Sequence, residues 1–367
     1  MGTRYMLPFI VLFAGMIATG CVRKDTTAGA VRENLRLVSI NVWSGLDYKG
    51  TLIMGEYEAP ERRELRYQAL LSEIRRLDPD IIAINEANFL PDYIRRLAAD
   101  IDYDHIYHVG VSGLHIGRVG LPWNLREGDA ILAKKDLALA CVGRKQLSGG
   151  GFIGNMFSFH TQDATQVLVG KVKVNGRDLY LAVTHWHASP PDDAATRQTL
   201  AKLKETWNYT EEQYNLALAS LAADNEWRMA EAKLMAEYLD SVVPAGAPLA
   251  VLGDFNAAIT SPEMRFLTDR GYVDAYSRVS SRAGNTWDPA VNTNIKSFYL
   301  GDGEKRFDSL YEHLNSMNEA TGKRIDFILL NETLGAGPVV DAAVCFDRLH
   351  EGVHPSDHFG VFAIVAL

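Results

Sequence analysis

Short apolar runs of strand length recur along this chain, and one after another they stop on Asn, Glu, Asp or His. The clearest is Leu249-Ala250-Val251-Leu252, followed by Gly253-Asp254-Phe255-Asn256. The run reads as a buried β-strand and Gly253 as the opening of a tight turn. At extended spacing Asp254 and Asn256 point to one side, just where the strand leaves the core. An isolated Gly-Asp-x-Asn is ordinarily an Asx-turn closing a strand. Its repetition at other strand ends is what constrains the fold.

Leu35 to Val42 alternates as a first strand with Asn41 near its end, and Glu61 to Leu77 carries apolar residues at helical spacing. Asp78-Pro79-Asp80 ends that helix, and the short buried strand Ile81 to Ile84 runs into Asn85-Glu86. This β–α–β order brings Asn41 and Glu86 to one edge if the two strands are parallel neighbours. Tyr93 to Ala99 reads as a short helix, and the glycines from Gly110 to Gly128 as a loop over or beside a mouth. Strands follow from Gly128, over Leu137 to Val142, and over Val167 to Val174. Asn175-Gly176 is a hairpin signal, and the next strand, Asp178 to Thr184, ends in His185-Trp186-His187. Helix formers dominate from Ala188 to about Asp240, and residues 280 to 320 read as loop-rich. Arg324 to Leu330 is a strand bearing Asp326, and Ser356-Asp357-His358 opens the last, Phe359 to Leu367.

At 367 residues and 47% hydrophobic the chain can bury a large core. The formal charge of −9 gives no general attraction to nucleic acid or anionic lipid, although a local basic groove is compatible with it. Residues 1–20 read as a targeting segment: Arg4 supplies the charge, Leu7 to Ile17 the apolar stretch, and Ala18-Thr19-Gly20 the small residues before Cys21. The apolar stretch falls short of the roughly 20 residues that a membrane span needs. The segment resembles a bacterial lipoprotein processing site, with Ala18 where most have Leu. That implies a cell-envelope protein held on a membrane by a lipidated Cys21. An ordinary secretory signal with an incidental cysteine, giving a secreted or periplasmic protein, is the alternative. Residues 21–34 form a tether, 35–367 the folded domain, and about 188–243 a helical insertion within it. Cys141 and Cys345 sit in apolar strand-like contexts and read as buried thiols; a disulfide between them is left open.

Together the strand ends supply Asn41, Glu86, His185, Asp254, Asn256, Asp326, Asp357 and His358. Each alone has an ordinary reading as a turn former or a hydrogen-bonded structural residue. As a set they offer hard oxygen ligands, two imidazoles and amide donors, an inventory suited to Mg²⁺ or Mn²⁺ and phosphoryl chemistry.

Ser39-Ile40-Asn41-Val42, Asn85-Glu86, Thr184-His185, Gly253-Asp254-Phe255-Asn256, Arg324-Ile325-Asp326-Phe327-Ile328 and Ser356-Asp357-His358 resemble, in order, the motifs of the endonuclease/exonuclease/phosphatase superfamily. That group includes DNase I, abasic-site endonucleases, inositol polyphosphate 5-phosphatases and neutral sphingomyelinases. The resemblance implies a four-layered α/β sandwich, two packed mixed β-sheets flanked by helices. It also implies a Mg²⁺-dependent hydrolase of phosphoric esters, with Glu86 as principal metal ligand, Asn41 beside it and Asp357 near the metal. By the same resemblance Asp254 positions or deprotonates water and Asn256 binds a phosphoryl oxygen. His358, oriented by Asp326, meets the developing charge, and His185 contacts the phosphate or protonates the leaving oxygen. Two departures are Trp43, where some members carry an acid and a second metal site, and Asn85 in place of the usual Gln.

Two rivals follow from the same residues. His185 and His187 alternate as in His-x-His zinc sites, but Ser189 stands where an acid usually continues the pattern. A catalytically inactive binding module of the same fold would have lost a central group, and all are present. For the substrate, the sequence favours a lipid or small-molecule phosphoester over DNA cleaved by a DNase-like endonuclease or exonuclease. The acidic balance, the tether and the aromatic residues Trp207, Tyr209, Tyr214 and Trp227, placed to form an apolar pocket wall, support that choice. No protein partner is implied.

Overall fold

The computed structural model describes residues 31–45, 58–111, 114–116, 119–121, 126–160, 164–295 and 307–367. The targeting segment, Cys21 and most of the expected tether lie outside the described residues, as do parts of the glycine-rich 110–128 stretch. Val31 to Leu367 clusters as one compact unit, with no break at the edges of the helical insertion. Among the described residues no helix is long and apolar enough to cross a membrane.

Two six-stranded sheets carry the fold. The first runs Val339–Cys345, Gly360–Ala366, Asn34–Asn41, Ile81–Ala87, Glu127–Lys134, Tyr103–Val111. The second runs Val273–Asp274, Asp326–Leu330, Leu249–Asp254, Arg177–His185, Gln166–Val174, Ala140–Gln146. Both are mixed: the Asn34–Asn41 and Ile81–Ala87 strands pair parallel, with Asn41 opposite Asn85, and Arg177–His185 pairs parallel with Leu249–Asp254.

Alternation along the strands decides which side chains meet between the sheets. Leu35, Leu37, Ile81 and Ala83 of the first sheet pack there against Leu181, Val183, Ala250, Leu252 and Ile328 of the second. The opposite face of the first sheet, through Val38, Ile40, Ile82 and Ile84, covers the helix Pro60–Leu77. Pro60 opens that helix and left-handed Asp78 closes it, so its end is built into the sequence. The outer face of the second sheet receives the helix Glu211–Val242 through Ala232, Met235, Ala236 and Leu239. The result is the expected four-layered sandwich.

The helical insertion consists of Ala194–Trp207 and the 32-residue helix Glu211–Val242, which Thr210 and Gln213 start with a capping box. At about 1.5 Å per residue the second helix is about 48 Å long, long enough to serve two cores. Its C-terminal half packs on the sheet. Its N-terminal half builds a separate cluster of Leu200, Leu203, Tyr209, Ala217 and Leu221 with Leu310 and Leu314. Those last two belong to the helix Leu310–Glu319, in a stretch that reads as loop from its sequence; Ser309 caps it by accepting from Tyr311 and Glu312 N–H. Trp207, Tyr209 and Tyr214 belong to this cluster. The apolar pocket wall expected of them is therefore corrected: they fill the insertion's own core.

Cys141 is exposed and Cys345 buried, both as free thiols. The expectation of two buried thiols is corrected at Cys141, whose strand lies at the edge of the second sheet.

Candidate active site

The polar strand ends are continuations of the inward-facing apolar series. Leu179, Leu181 and Val183 lead to His185, Ala250 and Leu252 to Asp254, and Ile328 back to Asp326. Pairing fixes their level: His185 stands opposite Asp254, and Asp254 opposite Asp326. Period two thus sends all three between the sheets at one edge, and Asn41 reaches the same place from the first sheet. Gly253 makes the close strand contact there possible. Its φ is 145°, and a Cβ would lie 1.9 Å from the carbonyl oxygen of Thr184.

Glu86 breaks the alternation. Strict alternation would carry it to the helical face with Ile82 and Ile84, but its φ is 54° and the pairing register shifts between Ile84 and Ala87. Its carboxylate consequently lies beside Asn41, whose Nδ2 donates to Glu86 Oε1 at 2.8 Å and to Asp254 Oδ2 at 3.2 Å. Asn41 Oδ1 accepts from Trp43 N–H at 3.0 Å, and Ser44 N–H donates to Glu86 Oε2 at 3.2 Å. Placed this way, Asn41 clamps two carboxylates and directs its oxygen away from them.

Asp254 is the hub. His185 Nε2 lies 3.6 Å from its Oδ2 and His358 Nε2 3.7 Å from the same oxygen. Asp254 Oδ1 accepts from Asn256 N–H at 2.9 Å, and Asn256 Nδ2 donates to the Trp186 carbonyl at 2.9 Å. Asn85 supports the hub from the first sheet: its Oδ1 accepts from Asp254 N–H, and its Nδ2 donates to Asp129 Oδ1 and the Thr184 carbonyl. Asp326 Oδ2 pairs with His358 Nδ1 at 2.9 Å, while the Thr286 hydroxyl oxygen accepts from Ile325 and Asp326 N–H. Trp287 packs edge-on against the His358 ring at 5.1 Å.

The electrostatics follow from packing charge into this edge. Burial works against charging His358, but Asp326, Asp254 and Asp357 together outweigh it and raise its pKa well above the ordinary histidine value. His185 is raised too: burial opposes the charge, and Asp254, Glu86 and Asp129 overcome it. Burial and the nearby Glu86 push Asp357 up to about 7 against the pull of His358. Two acids that the motifs do not single out join the same edge. Burial and Glu86 push Glu127 up to about 8, and burial pushes Asp129 up to about 6. Their signal in the sequence is a pair of acids flanking Gly128 at the start of a strand; only its pairing with the Glu86 strand gives them meaning.

The donor set fits a hard divalent cation. Glu86, Asp254 and Asp357 gather at one buried edge, and the nearby guanidinium of Arg66 is already paired with Glu58. Among the described residues, the ligand atoms of Asp254, Asp326 and His358 also lie within 4.8 Å of one another. The Asp326–His358 hydrogen bond already uses Nδ1 of that imidazole and one oxygen of that carboxylate, which leaves less of this group for a cation. His187 turns elsewhere. Its ring stacks on Trp227 at 4.2 Å, its Nε2 lies 3.2 Å from Asp224, and its N–H donates to Glu231. The His-x-His zinc arrangement is thus not assembled among the described residues.

A profile of the Endonuclease/Exonuclease/phosphatase family matches residues 38–358. Three solved structures are similar over almost all of their length. TDP2 of D. rerio, complexed with single-strand DNA product, has a TM-score of 0.53 at 16% identity, covering 92% of this chain and 100% of that one. The human Nocturnin catalytic domain with bound sulfate has a TM-score of 0.51 at 16% identity, covering 92% and 96%. A mannosyl-6-phosphatase of Bacteroides thetaiotaomicron has a TM-score of 0.52 at 17% identity, covering 90% and 99%. At these identities the likeness speaks to the fold. No curated protein matches the chain by sequence.

Proposed function

The chain belongs to the endonuclease/exonuclease/phosphatase family, whose members hydrolyse phosphoester bonds, and from that premise we propose a Mg²⁺- or Mn²⁺-dependent phosphoesterase acting on a lipid or small-molecule phosphodiester or phosphomonoester. The observation that carries it is the convergence of Asn41, His185 and His358 on one buried carboxylate, Asp254.

Glu86 and Asp357 would hold the cation, and Asn41 keeps the Glu86 and Asp254 carboxylates in register. When bound, the cation neutralises phosphate charge. Asp254 orients the attacking water and takes its proton. Asn256 spends one amide hydrogen on the Trp186 carbonyl and has a second for a phosphoryl oxygen. His358, held in one tautomer by Asp326 and protonated by its acidic surroundings, meets the charge that grows on the phosphoryl oxygens. His185, whose pKa the surrounding acids raise, contacts the phosphate or gives a proton to the leaving oxygen.

The test offers bis-p-nitrophenyl phosphate, mixed phospholipid vesicles and duplex DNA under the same Mg²⁺ and salt. Hydrolysis of the diester that EDTA abolishes, with head-group release from vesicles, is expected. Full activity in metal-stripped protein would overturn the metal reading. Efficient DNA cleavage that falls steeply with salt, without action on lipid, would overturn the substrate class.

We further propose that Cys21 tethers the protein to a bacterial envelope membrane, a reading supported by the leader sequence alone. Cys21→Ser is expected to move the protein to the soluble fraction or block its processing; unchanged membrane association would sink the anchor.

A further inference from the structure

Two excursions from the sandwich, between Val111 and Glu127 and between Gln146 and Gln166, are bounded by strand pairs at the catalytic edge. Val111 pairs with Glu127, beside Glu86, and Gln146 and His185 both pair with Gln166. The two excursions pair with each other. They form a small sheet in the order Val119–Leu121, Leu114–Ile116, Phe157–His160, Gly151–Ile153. Its register puts Ile116 opposite Phe157 and Phe152 opposite Phe159, with Ser158 between the two phenylalanines opposite Ile153. Directly opposed residues share a face, so Ile116, Phe152, Phe157 and Phe159 lie on one side. Ile153 and Ser158 lie on the other, and they are buried. The apolar side is the open one: these four and Met156 are between 44% and 72% exposed. An open apolar face of this kind marks an interaction site.

We propose that this face docks on the acyl boundary of a lipid bilayer and delivers an amphiphilic phosphoester from it to the neighbouring site. The inference rests on the phosphoesterase reading and names its substrate class. Three observations select a bilayer. The five side chains carry no charge, so their complement is apolar rather than a polyanion or a charged peptide. The face stands on the edge that holds Asp254, so whatever covers it lies beside the reacting centre. The chain outside the described residues is also long enough: the ten residues from Cys21 to Val31 reach up to about 35 Å when extended. The strand Asn34–Asn41 covers about 26 Å from its start to the catalytic edge. The segment's reach exceeds that distance, so its length is compatible with an anchor at Cys21 in the membrane that the apolar face meets.

The test uses the full chain carrying Cys21→Ser, which removes any lipid contribution, with and without Phe152→Ser, Phe157→Ser and Phe159→Ser together. Co-sedimentation with phosphatidylcholine vesicles and hydrolysis of vesicle phospholipid are each expected to fall at least about ten-fold, in line with the lost apolar burial. The rate on bis-p-nitrophenyl phosphate should stay within about two-fold, which also reports an intact fold. Replacing the same three residues by Leu should restore vesicle binding. Vesicle binding that is absent before substitution, or unaffected by it, would overturn the proposal. So would a concentration-dependent dimer that the Ser substitutions abolish, since that assigns the face to a second copy. Vesicle binding that follows the aromatic residues while no phosphoester is cleaved would support the docking face and defeat the phosphoesterase reading.

Discussion

Two neighbouring regions of this molecule invert the usual burial rule in opposite directions. At the catalytic edge, Glu127, Asp129, Asp254, Asp326, Asp357 and His358 are buried. On the small sheet above that edge, three phenylalanines, an isoleucine and a methionine are exposed. Buried charge costs stability unless it is paired, and an open apolar face costs solubility. The sandwich contains the first cost by tying acids to donors: Asp254 to Asn41 and Asn256, Asp129 to Asn85 and Gln166, Asp326 to His358. The small sheet contains its cost by size, with short strands and a single open face. The difference teaches that one edge separates two tasks, chemistry below and access above.

The largest expected effect breaks the chemical half alone. Asp254→Ala or His358→Ala should lower kcat on bis-p-nitrophenyl phosphate by at least about 10²-fold, a loss of about 2.7 kcal/mol of transition-state stabilisation. Steady-state kinetics with circular dichroism as a folding check would measure it, and vesicle binding through the small sheet should be unchanged. Turnover close to the parent's in either variant would show that the hub is misassigned.

How much of this could be read beforehand differs between the two regions for a physical reason. His185, Asp254 and Asp326 were legible because each is the next step of an apolar period-two series, so local pattern alone sends them inward. Glu86 was legible as a strand-end acid at the Asn41 edge but not in its facing, since alternation points it to the wrong face and a left-handed backbone turns it back. Glu127 and Asp129 were missed because their environment comes from pairing with a strand some 40 residues away, as with Ala87 opposite Gly128. The helix Leu310–Glu319 carried usable signals, a Ser309 cap with Leu310 and Leu314 one turn apart, that the surrounding loop composition masked. The small sheet depends on two separate excursions finding each other. Phe157-Ser158-Phe159 alternates visibly, yet no sequence pattern says which face will be open.

The smallest expected effect sharpens the account of the buried-charge region. Glu127 is pushed from 4.5 to about 8 by burial first and by Glu86 second, against the pull of His185 and the Ser44 hydroxyl. A carboxyl with a raised folded-state pKa keeps its proton where the unfolded chain has already lost it. The unfolded state then binds fewer protons, so stability falls as pH rises. The contribution is complete below about 4.3, the ordinary Glu value, and is lost progressively as pH climbs through 8. Glu127→Gln removes that carboxyl while keeping its shape and its hydrogen-bonding capacity. In EDTA, the fall in Tm between about pH 5 and pH 8 should therefore be smaller in Glu127→Gln than in the parent, by about 2–4 °C. Differential scanning calorimetry on the two proteins side by side would read the difference. Parallel Tm profiles would mean that Glu127 is already ionised at pH 5, with its charge neutralised by His185. The cost of burying charge at this edge would then fall on Asp357 and Asp129 instead.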